Sequence, residues 1–249
     1  MKLLTLLVAL ACASELRTEE PITIAPGDAR VDGSIIHPYR NRWKLVGTAP
    51  DGTVKEMGTW SDDVSIVSID GKPVIRRWQV WNYGAGTESY FNLLDQRSLT
   101  PLVSHYTNTP GVFWRFEYHG TQVDFQRAPQ TLAGSMSHGT VTAKMPVFDF
   151  NGGMFGLLIA GFPLQEGFSA RIPVFRTFDP GAEPAWVDFH VEGKERVPAG
   201  PGKEVEAWRV IVNSPATEEV MRFALTKEPP YVIRLQQEWE GRDWTFEML

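Results

Sequence analysis

Cysteine is almost missing from this chain: Cys12 is the only one in 249 residues. A domain folded downstream of it has no disulfide framework, no thiol nucleophile and no thiolate metal site. Metal-ligand spacing is missing as well. His37, His105, His119, His138 and His190 stand far apart, with no HxH or HExxH pair. No G-x-S-x-G elbow surrounds a serine; GSMSHG at Gly134–Gly139 comes nearest and lacks the glycine before its serine pair. No glycine-rich phosphate loop follows a strand-like run, and Asp149 and Asn151 lack the later ligands of a calcium loop. The sequence therefore calls for no metal and no cofactor. Basic clustering is absent too. The formal net charge is -6 with lysines and arginines scattered, which excludes the electrostatic footprint of a nucleic-acid binder. Beyond the first residues, no run reaches the roughly 18 apolar positions that a membrane-spanning helix needs.

The first residues, MKLLTLLVALACAS, carry Lys2, an apolar run from Leu3 to Leu10, and small residues at Ala9, Ala11 and Ala13. They read as a secretory signal over 1–13. Cleavage after Ala13 leaves a cysteine-free chain, whereas processing before Cys12 makes that residue the lipidated start of a bacterial lipoprotein. The shortness of the signal favours lipidation; Leu10, two before the cysteine, fits a lipobox poorly. Both routes stay open. The expected location is the periplasm or outer envelope, with membrane contact only through an anchor at Cys12. Residues 14–33, rich in charge, Pro and Gly, are expected to form a tether, and 34–249 a single β-rich domain.

Strand-like runs alternate with the turn dipeptides Asp51-Gly52, Asp70-Gly71, His119-Gly120, Glu192-Gly193 and Gly241-Arg242, the pattern of an antiparallel meander. With His119-Gly120 as a turn, Phe116 faces Val123 and Trp114 faces Phe125 on an apolar side, while Glu117 faces Gln122 and Arg115 faces Asp124 on a polar one. With Gly241-Arg242 as a turn, Trp239 faces Trp244, Gln237 faces Phe246 and Leu235 faces Met248. Trp208, Val210 and Val212 share one side of a further strand, with Ala207, Arg209 and Ile211 on the other, so both sides carry bulk. Between Asp149 and Leu164 the alternation stops. DFNGGMFGLLIAGFPL is nearly all apolar, and Asp149 or Asn151 is placed to cap a short helix ending near Ala160, before Gly161 and Pro163. The predicted fold class is all-β and mostly antiparallel, a curved sheet or partly closed β-barrel with one short helix as plug.

Two constellations offer chemistry. Asp188 and His190 lie two apart on a predicted strand, and a turn at Glu192-Gly193 brings Glu195 opposite His190. An imidazole between two carboxylates is a candidate general base for a hydrolase-like enzyme, against the alternative of a solvated polar strand face. The second constellation is aromatic. Nine Trp and fourteen Phe are ample for this length. Trp78, Trp81 and Trp208, with Phe155 and Leu158 of the plug, are candidates to line a concave face that holds a hydrophobic small molecule or lipid, against the alternative that they pack the core. An envelope scaffold or assembly factor is a third possibility.

The segments VPAG at Val197–Gly200, AWRV at Ala207–Val210, KEPPYVIR at Lys227–Arg234 and WTFEML at Trp244–Leu249 resemble an uncharacterised domain-of-unknown-function family of bacterial envelope proteins. The stretch from Phe148 to Phe175, with Gly167 in its second half, is similar to that family's helix followed by a strand. The resemblance runs well over 148–249 and loosely over the first half. It implies one exported β-rich domain, a fold similar to lipoprotein-carrier half-barrels, and no catalytic residues to carry over. The extra Pro-Gly in PAGPGKEVEAW departs from the pattern and lengthens that turn.

Overall fold

The computed structural model describes residues 21–109, 111–128, 134–149, 154–175, 185–214, 219–239 and 241–249. The proposed signal, with Cys12 and Ala13, lies outside them, as do Asn151 and the side chain of Phe155. The strands are β1 (Ile22–Thr23), β2 (Tyr39–Thr48), β3 (Val54–Ile69), β4 (Lys72–Tyr83), β5 (Gly86–Asp95), β6 (Pro101–Asn108), β7 (Phe113–His119) and β8 (Gln122–Ala128). They continue as β9 (Ser137–Thr142), β10 (Phe148–Asp149), β11 (Ser169–Phe175), β12 (Ala185–Pro198), β13 (Glu204–Ser214), β14 (Glu219–Leu225), β15 (Val232–Trp239) and β16 (Arg242–Met248). A single α-helix, α1 (Met154–Ala160), and a 3-10 turn at Gly33–Ile35 complete the described elements.

All sixteen strands belong to one sheet. It is built from two antiparallel meanders, β2 to β9 and β11 to β16, each paired in chain order. Pairing of β16 with β2 joins them. β1 and β10 add in parallel to the free edge of β11, and β9 is the opposite edge. Among the described residues no ladder joins the two edges, so the sheet is not closed. It is nevertheless curled. One continuous apolar cluster contains Trp43, Ile75 and Leu94 from the first meander and Phe189, Val210 and Phe223 from the second. Side chains alternate between faces along a strand, so residues from both meanders meet only where the same face wraps inward.

α1 fills that inward space. Leu157, Leu158, Ile159 and Ala160 are all buried, a helix apolar on every side, which is stable here only because protein surrounds it. The expected plug is therefore present and ends at Ala160 as predicted, but Asp149 does not cap it. That residue lies in β10, where its carboxylate accepts from Asn92 Nδ2 at 2.7 Å and from the Tyr118 hydroxyl at 2.9 Å. β10 rides on β11, whereas Asn92 and Tyr118 stand on β5 and β7. Phe175 at the end of β11 packs on Phe116 of β7, with ring centroids 5.5 Å apart. Side chains thus close a seam that backbone pairing leaves open.

The tether expected over 14–33 is docked in its described part. Ile24 and Val31 are buried in the core, Ile22 and Thr23 pair with β11, and the Asp32 amide donates to the Gly161 carbonyl at 2.8 Å. The β structure accordingly starts before Ser34. Two predicted hairpins exist with a register moved by two residues. Glu117 faces Asp124 and Phe116 faces Phe125, because Gly120-Thr121 forms the turn; Gln237 faces Trp244 and Leu235 faces Phe246 in the last hairpin. Gly120 and Gly241, both at φ +67°, occupy left-handed turn positions that non-glycine residues adopt at a cost. A shift of two keeps every side chain on its predicted face.

Candidate functional site

Successive rungs across the first meander grade the inner face from apolar to polar to aromatic. Ile66, Ile75 and Leu94 form an apolar rung. The next, Tyr39, Val64, Arg77, Asn92, Ser104 and Phe116, is wholly buried. Asn41, Asp62, Gln79, Tyr90, Tyr106 and Trp114 form the third, and Trp43, Trp60, Trp81, Glu88 and Asn108 the fourth.

The buried polar rungs are partly self-contained. Arg77 donates to both carboxylate oxygens of Asp62, at 2.9 and 2.6 Å, and the Tyr39 hydroxyl donates to Asp62 at 2.7 Å. Burial pushes the Tyr39 hydroxyl well above its ordinary range and keeps it a donor. Other atoms on this face have no partner. Asn41 Nδ2, Trp43 Nε1, Gln79 Oε1, Trp81 Nε1 and Asn92 Oδ1 make up five of the eight buried side-chain polar atoms that lack a hydrogen bond among the described residues. Unmatched capacity therefore concentrates on the inner face of β2–β5. Buried polar groups are nearly always hydrogen-bonded, so a cluster of exceptions marks a place where something else is bound.

Above these rungs lies an aromatic platform. Trp60 stacks on Tyr90 at 5.5 Å and 19° and on Trp81 at 6.0 Å and 28°. Trp81 contacts Tyr83 at 4.6 Å, and Tyr90 contacts Tyr106 at 5.0 Å. From β16, Phe246 reaches Trp60 at 5.7 Å and Trp244 reaches Trp81 at 6.4 Å, both edge-on. They cross β2 and β3 because Gly47 and Gly58 present no side chain there: Trp244 pairs with Gly47, and Phe246 with Leu45, which faces Gly58. Trp60, Trp81, Tyr83 and Phe246 remain half-exposed. Glu88 stands among these rings, half-exposed, and accepts from the Tyr90 hydroxyl at 2.6 Å. Burial, and after it the Glu88 charge, raises the hydroxyls of Tyr83, Tyr90 and Tyr106 and keeps them protonated.

Of the aromatic candidates read from the sequence whose side chains are described, Trp81 alone belongs to this platform. Trp78 is three residues away and hence on the other face, 56 % exposed, with its Nε1 donating to Ser89 Oγ at 2.8 Å. Trp208 is half-buried against the core beneath Lys194, whose Nζ lies 5.0 Å from its ring, and Leu158 is buried in the plug. The expected Asp188, His190 and Glu195 cluster is not assembled. Glu192-Gly193 is a bulge within the continuous strand β12, not a turn, so Glu195 faces Ala207. Arg171 takes Asp188 with bonds of 2.6 and 3.0 Å, and Arg234 takes Glu195 at 2.9 Å. His190 Nδ1 meets Ser169 Oγ at 2.7 Å on an exposed surface. Among the described residues no carboxylate orients the ring.

A polar groove of about 460 Å³ on β7–β9 is a further concavity, lined by Arg115, Glu117, Asp124 and His138 among others. Its carboxylates have partners of their own: Glu117 pairs with Arg115, and Asp124 accepts from Thr140 at 2.6 Å and Gln122 at 3.0 Å. No group of three ligating side chains arranged for a metal ion occurs among the described residues.

The sequence held a signal for the platform that hydrophobic patterning passes over. Trp60, Asp62 and Val64, then Arg77, Gln79 and Trp81, then Glu88, Tyr90 and Asn92 each place polar and aromatic groups at alternate positions, on one side of three neighbouring strands. Curated proteins provide no match to this chain. A family profile does match, over residues 52–245, reaching from the turn before β3 into β16. The chain belongs to that family, described as "Protein of unknown function (DUF3108)".

Proposed function

We propose that this protein is an exported bacterial envelope protein that binds a hydrophobic or amphipathic ligand on the inner face of its sheet, at the platform around Trp60 and Trp81. The half-exposed, stacked aromatic surface lying over partnerless buried polar atoms carries this reading. Aromatic faces bury an apolar chain with little loss of side-chain freedom, and a few convergent polar groups orient the bound molecule. In this view residues 1–13 direct export, and Cys12 is the attachment point of a lipid anchor where processing falls there. The membrane has no other contact with the protein.

Native mass spectrometry of protein purified from envelope extracts is expected to show a lipid-sized adduct, and 1-N-phenylnaphthylamine is expected to fluoresce on binding. Trp60→Ala and Trp81→Ala should each weaken dye binding about tenfold, from loss of one aromatic wall. Trp78→Ala, on the outer face, should leave it unchanged. Recovery of bare polypeptide together with no dye response would sink the proposal.

A further inference from the structure

Glu88 differs from the other carboxylates of the inner face. Asp62 is held by Arg77 and Tyr39, and Asp149 by Asn92 and Tyr118. Glu88 has only hydroxyl donors: Tyr90 reaches it at 2.6 Å, and among the described residues no lysine, arginine or histidine lies within ion-pair distance of it. The rings around it present a nearly parallel array, Tyr90, Trp60 and Trp81, whose faces are electron-rich. Carboxylate and ring faces together make a surface of negative potential at the half-exposed end of the inner face. Such a surface attracts a cation and repels an anion.

The same aromatic row shows the interaction once already. Trp114 lies beyond Tyr106, with ring centroids 5.0 Å apart, and the Arg127 guanidinium sits 4.8 Å above the Trp114 ring. Among the described residues no protein cation takes the corresponding place at Glu88. Apolar surface continues from this point onto Phe246, so a molecule with its charged end at Glu88 has a path for a hydrocarbon chain.

Resting on the platform reading above, we propose that the ligand is an amphiphile with an ammonium head group and that Glu88 is its counter-ion. The tyrosine hydroxyls hold the carboxylate in place, Trp60 and Trp81 take the head group's methyl or methylene surface, and the chain lies along Phe246. Anionic amphiphiles of equal length are rejected by Glu88.

Three dodecyl amphiphiles, titrated below their micelle concentrations against the full mature chain with tryptophan fluorescence as the readout, test this: trimethylammonium, maltoside and carboxylate. The ammonium compound should bind about tenfold tighter than the maltoside, and the carboxylate weakest. Salt should weaken the first and leave the second nearly unchanged. Glu88→Gln should remove the preference, bringing the ammonium compound to the affinity of the maltoside. Equal affinity of the ammonium and maltoside compounds for the wild-type protein overturns the proposal and leaves the platform standing, whatever the variant does. Retention of the preference in a folded Glu88→Gln protein overturns it as well. Failure of all three to bind removes the platform reading and this one together.

Discussion

Arg77 is 1 % exposed, its guanidinium locked to Asp62, with Tyr39 completing the carboxylate's shell. Taking two charges out of water costs several kcal/mol per ion, and such a pair persists only when its hydrogen bonds are well made. Removing one partner is worse than removing both. Arg77→Met should destabilise the protein by about 3–5 kcal/mol by leaving Asp62 uncompensated, and Arg77→Met with Asp62→Leu should recover most of that loss. Urea unfolding of the single and double variants checks both. A single variant within about 0.5 kcal/mol of wild type would show that Arg77 has no structural weight. Nothing in the local sequence marks Arg77 out. Arg76 and Arg77 are adjacent, so one must face each side of β4, and patterning by apolarity turns Trp78 inward. The outcome is the reverse, because the groups that satisfy Arg77 come from β2 and β3. Glu88 escaped notice for a similar reason: its tyrosines lie on β4, β5 and β6.

At the scale of elements, Gly58 shows how closely backbones approach under the platform. Its φ is +132°, and an added Cβ would lie 1.9 Å from the Asn82 carbonyl oxygen on β4. Gly58→Ala should therefore cost roughly 2 kcal/mol or more and part β3 from β4 locally. The expected readout is a lowered urea midpoint with weakened dye binding; a variant as stable as wild type that still binds dye would refute it. Hairpins were legible from the sequence, since alternation fixes which side chains share a face. Their register was not, because a glycine next to a turn does not say which turn position it fills. Gly193 carries the same ambiguity further: φ +138° serves a bulge in β12, where a strand end was expected. Without that turn, the His190 site has no means of assembly. The plug was legible because seven consecutive residues without strand alternation have few other places to go.

For the whole molecule, closure depends on Asp149. Asp149→Ala should cost about 2–4 kcal/mol by leaving the Asn92 amide and the Tyr118 hydroxyl unmatched in the interior. Hydrogen exchange should rise in β10 and β11 while the β12–β13 ladder stays protected. Equal protection throughout would show that apolar packing alone holds the seam. The overall architecture, all-β and curled with one plug, was readable from periodicity, and so was the family. Its match starts at residue 52 and so takes in much of the first half as well as the second, where the resemblance was clearest. How far the curl closes could not be read, because nothing local distinguishes edges that pair through backbone from edges joined only by side chains.

The ladder between β16 and β2 gives the molecule an order of events. Every other pairing in the two meanders links strands that are neighbours in sequence and can form as the chain lengthens. This one joins Trp43 to Met248, and the Leu249 amide donates to the Arg42 carbonyl at 2.9 Å. The latest strand of the sheet to be synthesised thus lies near its centre. Until Arg242–Met248 arrives, β2 has one unpaired edge and the rings of Trp60 and Trp81 lack Phe246 and Trp244. A chain arrested before that point carries two separate meanders, and the platform is complete only once the polypeptide extends through β16.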